Sequence, residues 1–179
     1  MRTTNAKDKV ADALEELLAT HPLEKLSVAD VAAVADISRQ TFYYHFENIF
    51  GVYRYALETG MISSSDEIPS PAAAVSSISE VMKRYRNMTA AFTNKHYRRD
   101  TIEILVEYLM HVVKRFVADK YGYSGPSQRP DHVARFFATG YVCIIMRWAD
   151  NNMTYDVAAK IDEINEELSS FHSVAAQKP

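Results

Sequence analysis

Apolar positions recur at steps of three and four along most of the chain. Between residues 6 and 19, Val10, Leu14, Leu17 and Leu18 fall at helical spacing with charged residues in the gaps, which predicts an amphipathic helix. His21-Pro22 interrupts it, because proline disfavours helical geometry at the residue before it. Ser27 and Asp30 then stand three apart ahead of Val31, Val34 and Ala35, the pattern of a hydroxyl cap with an acid in the first turn. Asp36-Ile37 predicts a short turn, and Ser38 a second N-cap. The stretch that follows, residues 38–46, crowds a guanidinium, an amide, hydroxyls, two phenols and an imidazole into about two helical turns. Only Phe42 and Phe46 are available as anchors, and being four apart they share one face. Arg39, Gln40, Tyr43 and Tyr44 are left on the other. Two short helices joined by a tight turn, the polar one second, predict a helix-turn-helix.

Beyond it the stripe resumes as a connecting helix over 48–62. Residues 66–71 combine charge, serine and two prolines without periodicity and predict a loop. A helix over 72–94 follows, with a break near Thr89, and then a long one over 98–121 whose apolar stripe faces a core throughout. Glycine and proline in 122–127 end it, and Pro130 suits the first turn of a helix over 131–150 that is apolar on more than one face and is expected to be buried on two sides. After an Asn151-Asn152 turn, Val157, Ile161, Ile164, Leu168 and Phe171 repeat at steps of four, three, four and three, an a/d seam. The tail from Ser173 is expected to fray. The reading is all-α: a helix-turn-helix domain over 1–48 and a larger helical domain over 49–179. The seam, with the overfull surface of the helix before it, implies a homodimer.

Composition narrows the chemistry. The net charge is −3 and the pI about 6.1, so no global basic excess advertises nucleic acid, and a DNA reading must rest on local arrangement. The single Cys143 lies in an apolar run, which leaves no intrachain disulfide, predicts a small core residue and suits a reducing cytoplasm. No stretch approaches the roughly 20 apolar residues that span a bilayer, so a soluble, cytoplasmic protein without a membrane partner is expected. There is no glycine-rich phosphate loop, no nucleophile in a recognisable turn and no helical His-Glu-x-x-His pair; neither an enzyme nor a cofactor is expected. Glu103, Glu107 and His111 stand at steps of four, but a solvated helix face explains them better than a metal site. Met82, Tyr85, Phe92, Leu109, Phe137 and Tyr141 either line a ligand cavity or are plain core. Trp148, beside Arg147, either joins the dimer seam or fills the core.

Residues 10–57 resemble the DNA-binding domain of the TetR family of bacterial regulators, with 38–46 similar to that family's recognition helix and its exit, and 27–32 to the start of the helix before it. Residues 136–153, with Gly140-Tyr141, Arg147-Trp148 and Asn152-Met153, are similar to the branch that includes regulators of dihydroxyacetone kinase operons. The resemblance implies phosphate or base contacts from Ser27, Ser38, Arg39, Gln40, Thr41, Tyr43, Tyr44 and His45, a dimer built from the last two long helices, and a small-molecule effector site in the body. One departure bears on affinity: where the family commonly has a lysine three or four residues after the His-Phe pair, this chain has Ile49 and Phe50, with Glu47 between. Residues 1–50 hold five Lys or Arg against eight Asp or Glu. Each missing phosphate contact weakens binding and flattens its salt dependence. The expected function is a sequence-specific, ligand-responsive repressor binding double-stranded DNA at a palindromic operator. The alternative is a non-enzymatic co-regulator acting mainly through protein partners, with weak or no DNA binding.

Overall fold

The computed structural model of the protein describes residues 5–61, 68–94, 96–121 and 130–176. Among them are nine α-helices, one 3-10 turn and no strand. The helices are α1 (Ala6–Leu18), α2 (Val28–Val34), α3 (Arg39–His45), α4 (Ile49–Gly60), α5 (Pro71–Arg84), α6 (Arg86–Phe92), α7 (Arg98–Tyr121), α8 (Pro130–Asp150) and α9 (Val157–Ala176), with the 3-10 turn at Leu23–Lys25. None of the described helices is long and apolar enough to cross a membrane.

The chain folds as two compact units. The first unit groups α1–α4 with Glu80–Ile104, and the second joins residues 64–79 to 105–179. α4 belongs with the helix-turn-helix because it packs on α1 and α6.

Within the first unit, side-chain caps fix where the helices start. Asn5, Ser27, Ser38 and Asn48 each accept the backbone N–H three residues on, at 2.9–3.3 Å. These satisfy amide donors that a helix cannot pair internally. α2 ends in a Schellman motif, the Ile37 N–H donating to the Ala32 carbonyl at 3.0 Å and the Asp36 N–H to Ala33 at 3.3 Å. Asp36 takes the left-handed conformation there (φ 53°), which tightens the turn into α3. Val10, Leu14, Val31, Phe42, Val52 and Leu57 are completely buried and hold α1–α4 together.

The break expected near Thr89 falls instead at Tyr85 (φ −106°, ψ 56°), between α5 and α6. Thr89 still causes it in part: its hydroxyl donates to the Met82 carbonyl at 3.1 Å, taking the place of a helical N–H. Gly60, the last residue of α4, sits against α5. A Cβ there would lie 2.5 Å from Val81 Cγ2, and a β-branched side chain on a helix has little freedom to turn away. Gly60→Ala is therefore expected to destabilise the protein by about 1–3 kcal/mol, read as a fall in denaturation midpoint with an unchanged m-value.

The second unit is organised around α7 from Leu105 onward, α8 and α9. Leu105, Leu109 and Val113 of α7 are fully buried, as are Ala134, Ala138 and Ile145 of α8. The loop expected over 66–71 is anchored at its described end, since Ile68 is fully buried and its carbonyl accepts from the Arg115 guanidinium. Trp148 is also fully buried, with its indole N–H donating to the Tyr155 carbonyl at 2.8 Å. The turn into α9 places Asn152 and Met153 at φ 58° each, and the Met153 N–H reaches back to the Trp148 carbonyl at 2.9 Å. α9 runs to Ala176, past the fraying expected from Ser173. Cys143 is exposed rather than in the core, because α8 is buried on one side only and Cys143 lies on the other. The glycine-proline segment 122–127 and residues 177–179 lie outside the described residues.

Candidate nucleic-acid interface

The polar helix α3 begins where Ser38 Oγ accepts the Thr41 N–H at 3.0 Å and ends where the Phe46 N–H donates to the Phe42 carbonyl at 2.8 Å. Phe42 is completely buried and Phe46 nearly so, their ring centroids 5.6 Å apart, and Phe46 meets Tyr55 of α4 edge-on at 5.7 Å. Tyr55 in turn donates its hydroxyl to Asp8 at 2.8 Å, so the exit of α3 is braced against the start of α1. One face of α3 is thus fixed by aromatic packing, and the other faces solvent.

That solvent face carries Ser38, Arg39, Gln40, Tyr43 and Tyr44, all exposed. Tyr44 is 85% exposed and Tyr43 53%, high values for side chains that bury well elsewhere in this chain. Tyr43 is held edge-on to Phe42 at 5.7 Å, and Tyr44 edge-on to the half-buried His45 at 5.0 Å. A guanidinium, an amide and two phenols on one braced face can reach phosphate oxygens and base edges.

Three of the residues expected to touch DNA are engaged in local bonds. Thr41 is half-buried, its hydroxyl 2.9 Å from that of Ser38. Ser27 forms a complete capping box with Asp30: its hydroxyl and its N–H both donate to the carboxylate, at 2.6 and 2.8 Å, while its oxygen accepts the Asp30 N–H. A phosphate at Ser27 would have to compete with that carboxylate. The Ser27 hydroxyl, and after it the Ser27 N–H, hold the Asp30 carboxyl below its ordinary value of 3.8. A depressed folded-state pKa contributes stability that is present above the ordinary value and lost as pH falls through the folded one. Asp30→Asn should therefore lower the melting temperature at pH 6, and the difference from wild type should shrink as the pH is taken below about 3.8.

The residues expected to line an effector cavity are distributed over both units. Met82, Tyr85 and Phe92 belong to the first unit, and Leu109, Phe137 and Tyr141 to the second. Met82, Phe92 and Leu109 are fully buried, Phe92 stacking on Tyr53 with centroids 5.0 Å apart. Tyr85 lines an open cleft of about 850 Å³ with Asp8, Asp12, Thr59 and Arg84. Tyr141 donates its hydroxyl to the buried Asn165 Oδ1, a polar pair between α8 and α9.

The expected dimer residues also divide. Trp148, Val157 and Ile161 are fully or almost fully buried within the chain itself, so their apolar surface is already covered by its own core. Ile164 and Leu168 are half-exposed, and the Phe171 side chain lies outside the described residues. On α8, expected in the dimer for its overfull apolar surface, the exposed residues form a line. Phe136, Gly140, Cys143 and Arg147, at steps of four, three and four, are all exposed, with Phe136 at 76%. The signal was present in that spacing, but it was hidden by apolar residues on the helix's other faces. Among the described residues no three His, Cys, Asp or Glu side chains gather as a metal site, and Glu103 instead pairs with Arg99 at 3.1 Å.

Comparison with known proteins agrees with this geometry. Residues 10–54 match the profile described as bacterial regulatory proteins, tetR family, and residues 70–169 that of a transcriptional regulator C-terminal region. Among solved structures, the chain is similar to the dihydroxyacetone kinase operon activator DhaS, with a TM-score of 0.71 and 14% identity, covering 96% of this chain and 98% of that one. It is also similar to the fatty acid degradation regulator FadR from Bacillus halodurans, with a TM-score of 0.60, 14% identity and coverage of 94% and 97%. FadR from Thermus thermophilus, a TetR-family transcriptional repressor in complex with lauroyl-CoA, follows at 0.51 and 18%, covering 91% and 92%. At such identities the likeness is one of fold. Among curated proteins nothing matches the chain.

Proposed function

Because the chain belongs to the TetR family of bacterial regulatory proteins and is a DNA-binding transcriptional regulator, we propose that it acts as a homodimeric, ligand-responsive repressor of a palindromic operator. The observation that carries this reading is the solvent face of α3, where Arg39, Gln40, Tyr43 and Tyr44 stand exposed on a helix capped by Ser38 and anchored by Phe42. Two such helices, one per subunit, enter successive major grooves about one DNA turn or slightly more apart. Arg39 and Gln40 read base edges, the tyrosines hold the backbone, and the two bound heads exclude other proteins from the DNA they cover.

The dimer is supported by the exposed line on α8. An exposed Phe136 leaves a large apolar surface in water, which a partner would cover. Gly140 lies mid-helix, where glycine costs roughly 0.5–1 kcal/mol relative to alanine, and a Cβ there would meet nothing within 4 Å in this chain. The chain's own packing does not call for it, whereas close approach of a second helix would. The effector reading rests on the interior of α7–α9, where Tyr141 and Asn165 place a polar pair among apolar side chains. Selection of binding sites from random duplex DNA, followed by footprinting, tests the proposal. A palindrome with half-site centres roughly 34–36 Å apart or slightly more is expected, and an unbiased pool would contradict it.

A further inference from the structure

The short helix α6 is held at both ends by side chains from other helices. At its start, both carboxylate oxygens of Glu15, on α1, accept backbone N–H groups, Oε1 from Asn87 and Oε2 from Met88, each at 2.8 Å. The Asn87 side-chain amide adds a bond to the Glu15 carbonyl at 3.3 Å. At its other end, the Phe92 carbonyl accepts the buried Thr101 hydroxyl and the Thr93 carbonyl accepts the Arg98 guanidinium, each at 3.0 Å and both from α7. The first-turn amides of a helix have no internal partner, and a carboxylate that takes two of them forms charge-assisted bonds on the side where the helix is electropositive. α1 packs in turn on α2 and α4, which carry the polar helix.

We infer that Glu15 is the positioning residue that fixes the helix-turn-helix module on α6, so that the placement of α6 sets where α3 points. Helix packing alone allows α1 to slide or pivot on α6, because apolar contacts are non-directional. The two bonds from one carboxylate remove that freedom. The inference rests on the proposed function, since a fixed head matters only if two heads must match one operator. It separates positioning from simple folding, because a loosened but folded head still reads a half-site, while a palindrome loses the advantage of two heads held at the right spacing.

The test uses the full chain and a palindrome selected from random DNA, with a single half-site duplex as second probe. Glu15→Gln keeps the size of the side chain but brings an NH2 against one of the two N–H donors. It is expected to weaken palindrome binding at least tenfold and half-site binding less than twofold, while Glu16→Gln, at the exposed neighbouring position, changes neither. Hydrogen exchange at the Asn87 and Met88 amides should speed at least tenfold in Glu15→Gln, with the Leu14 amide still protected. Unchanged palindrome affinity, equal loss on both probes, or unchanged exchange at Asn87 and Met88 would each overturn the assignment. If the wild type selects no palindrome, the repressor reading falls, and the exchange measurement alone decides whether Glu15 holds α6.

Discussion

Replacing Arg39 and Tyr44 together by alanine is expected to lower operator affinity by at least about a hundredfold while leaving the protein as stable as wild type. Discrimination from one good bidentate base contact is worth about 1–3 kcal/mol, and each factor of ten in affinity is about 1.4 kcal/mol. The double variant also gives up a phosphate bond, and both effects are repeated in each subunit, so a hundredfold is the lower end. Stability is spared because both side chains are exposed and make no part of the core, with Tyr44 85% in solvent. Surface substitutions of that kind stay within about 0.5 kcal/mol. Fluorescence anisotropy with the selected operator, alongside a thermal melt, measures both halves. Tight binding by the double variant would remove α3 as the reading helix.

The second large effect is expected at Phe136. In a two-fold symmetric pair any substitution is present twice, so Phe136→Asp places two carboxylates in a surface that must be dehydrated to associate. Dehydrating an isolated charge costs several kcal/mol, so the dimer dissociation constant is expected to rise by about a hundredfold or more. The single subunit should stay folded, because Phe136 is 76% exposed in it. Sedimentation velocity at micromolar concentration reads the change as a shift from dimer to monomer. Operator affinity should fall with it, since one head alone cannot span a palindrome. A Phe136→Asp protein that still sediments as a dimer would move the interface off this line of α8.

How much of this was legible before the structure follows from what each signal depends on. The caps at Ser27 and Ser38 were readable because a hydroxyl three residues before an amide is a local event, and α3 could be placed to its first and last turn. The start of α8 was readable because Pro130 suits the first turn of a helix. The kink at Tyr85 was not, because it depends on a hydroxyl bond from Thr89 back to Met82, which moves the break four residues ahead of the threonine. Nor was the choice between core and partner for Val157 and Ile161. An a/d seam tells which face is apolar, not whether the helix that covers it belongs to the same chain. Glu15 was invisible for a similar reason, since its partners lie 72 and 73 residues away and a carboxylate on an amphipathic helix normally faces water. Exposure ranks the residues expected at DNA: Arg39, Gln40, Tyr43 and Tyr44 stand exposed, while Ser27 and Thr41 have their hydroxyls engaged.

That ranking, together with the acidic flank of α3, sets the measurement that bears most directly on sequence-specific DNA binding. The wild-type protein should be titrated against the selected palindrome and a scrambled duplex of equal length over a range of salt. Affinity for the palindrome is expected to fall linearly on logarithmic axes, with a slope shallower than the roughly −10 of a repressor rich in phosphate contacts. The palindrome should bind at least about a thousandfold more tightly than the scrambled duplex at physiological salt. Equal affinity for the two duplexes at low salt would contradict the assignment and point instead to a co-regulator that acts through protein partners.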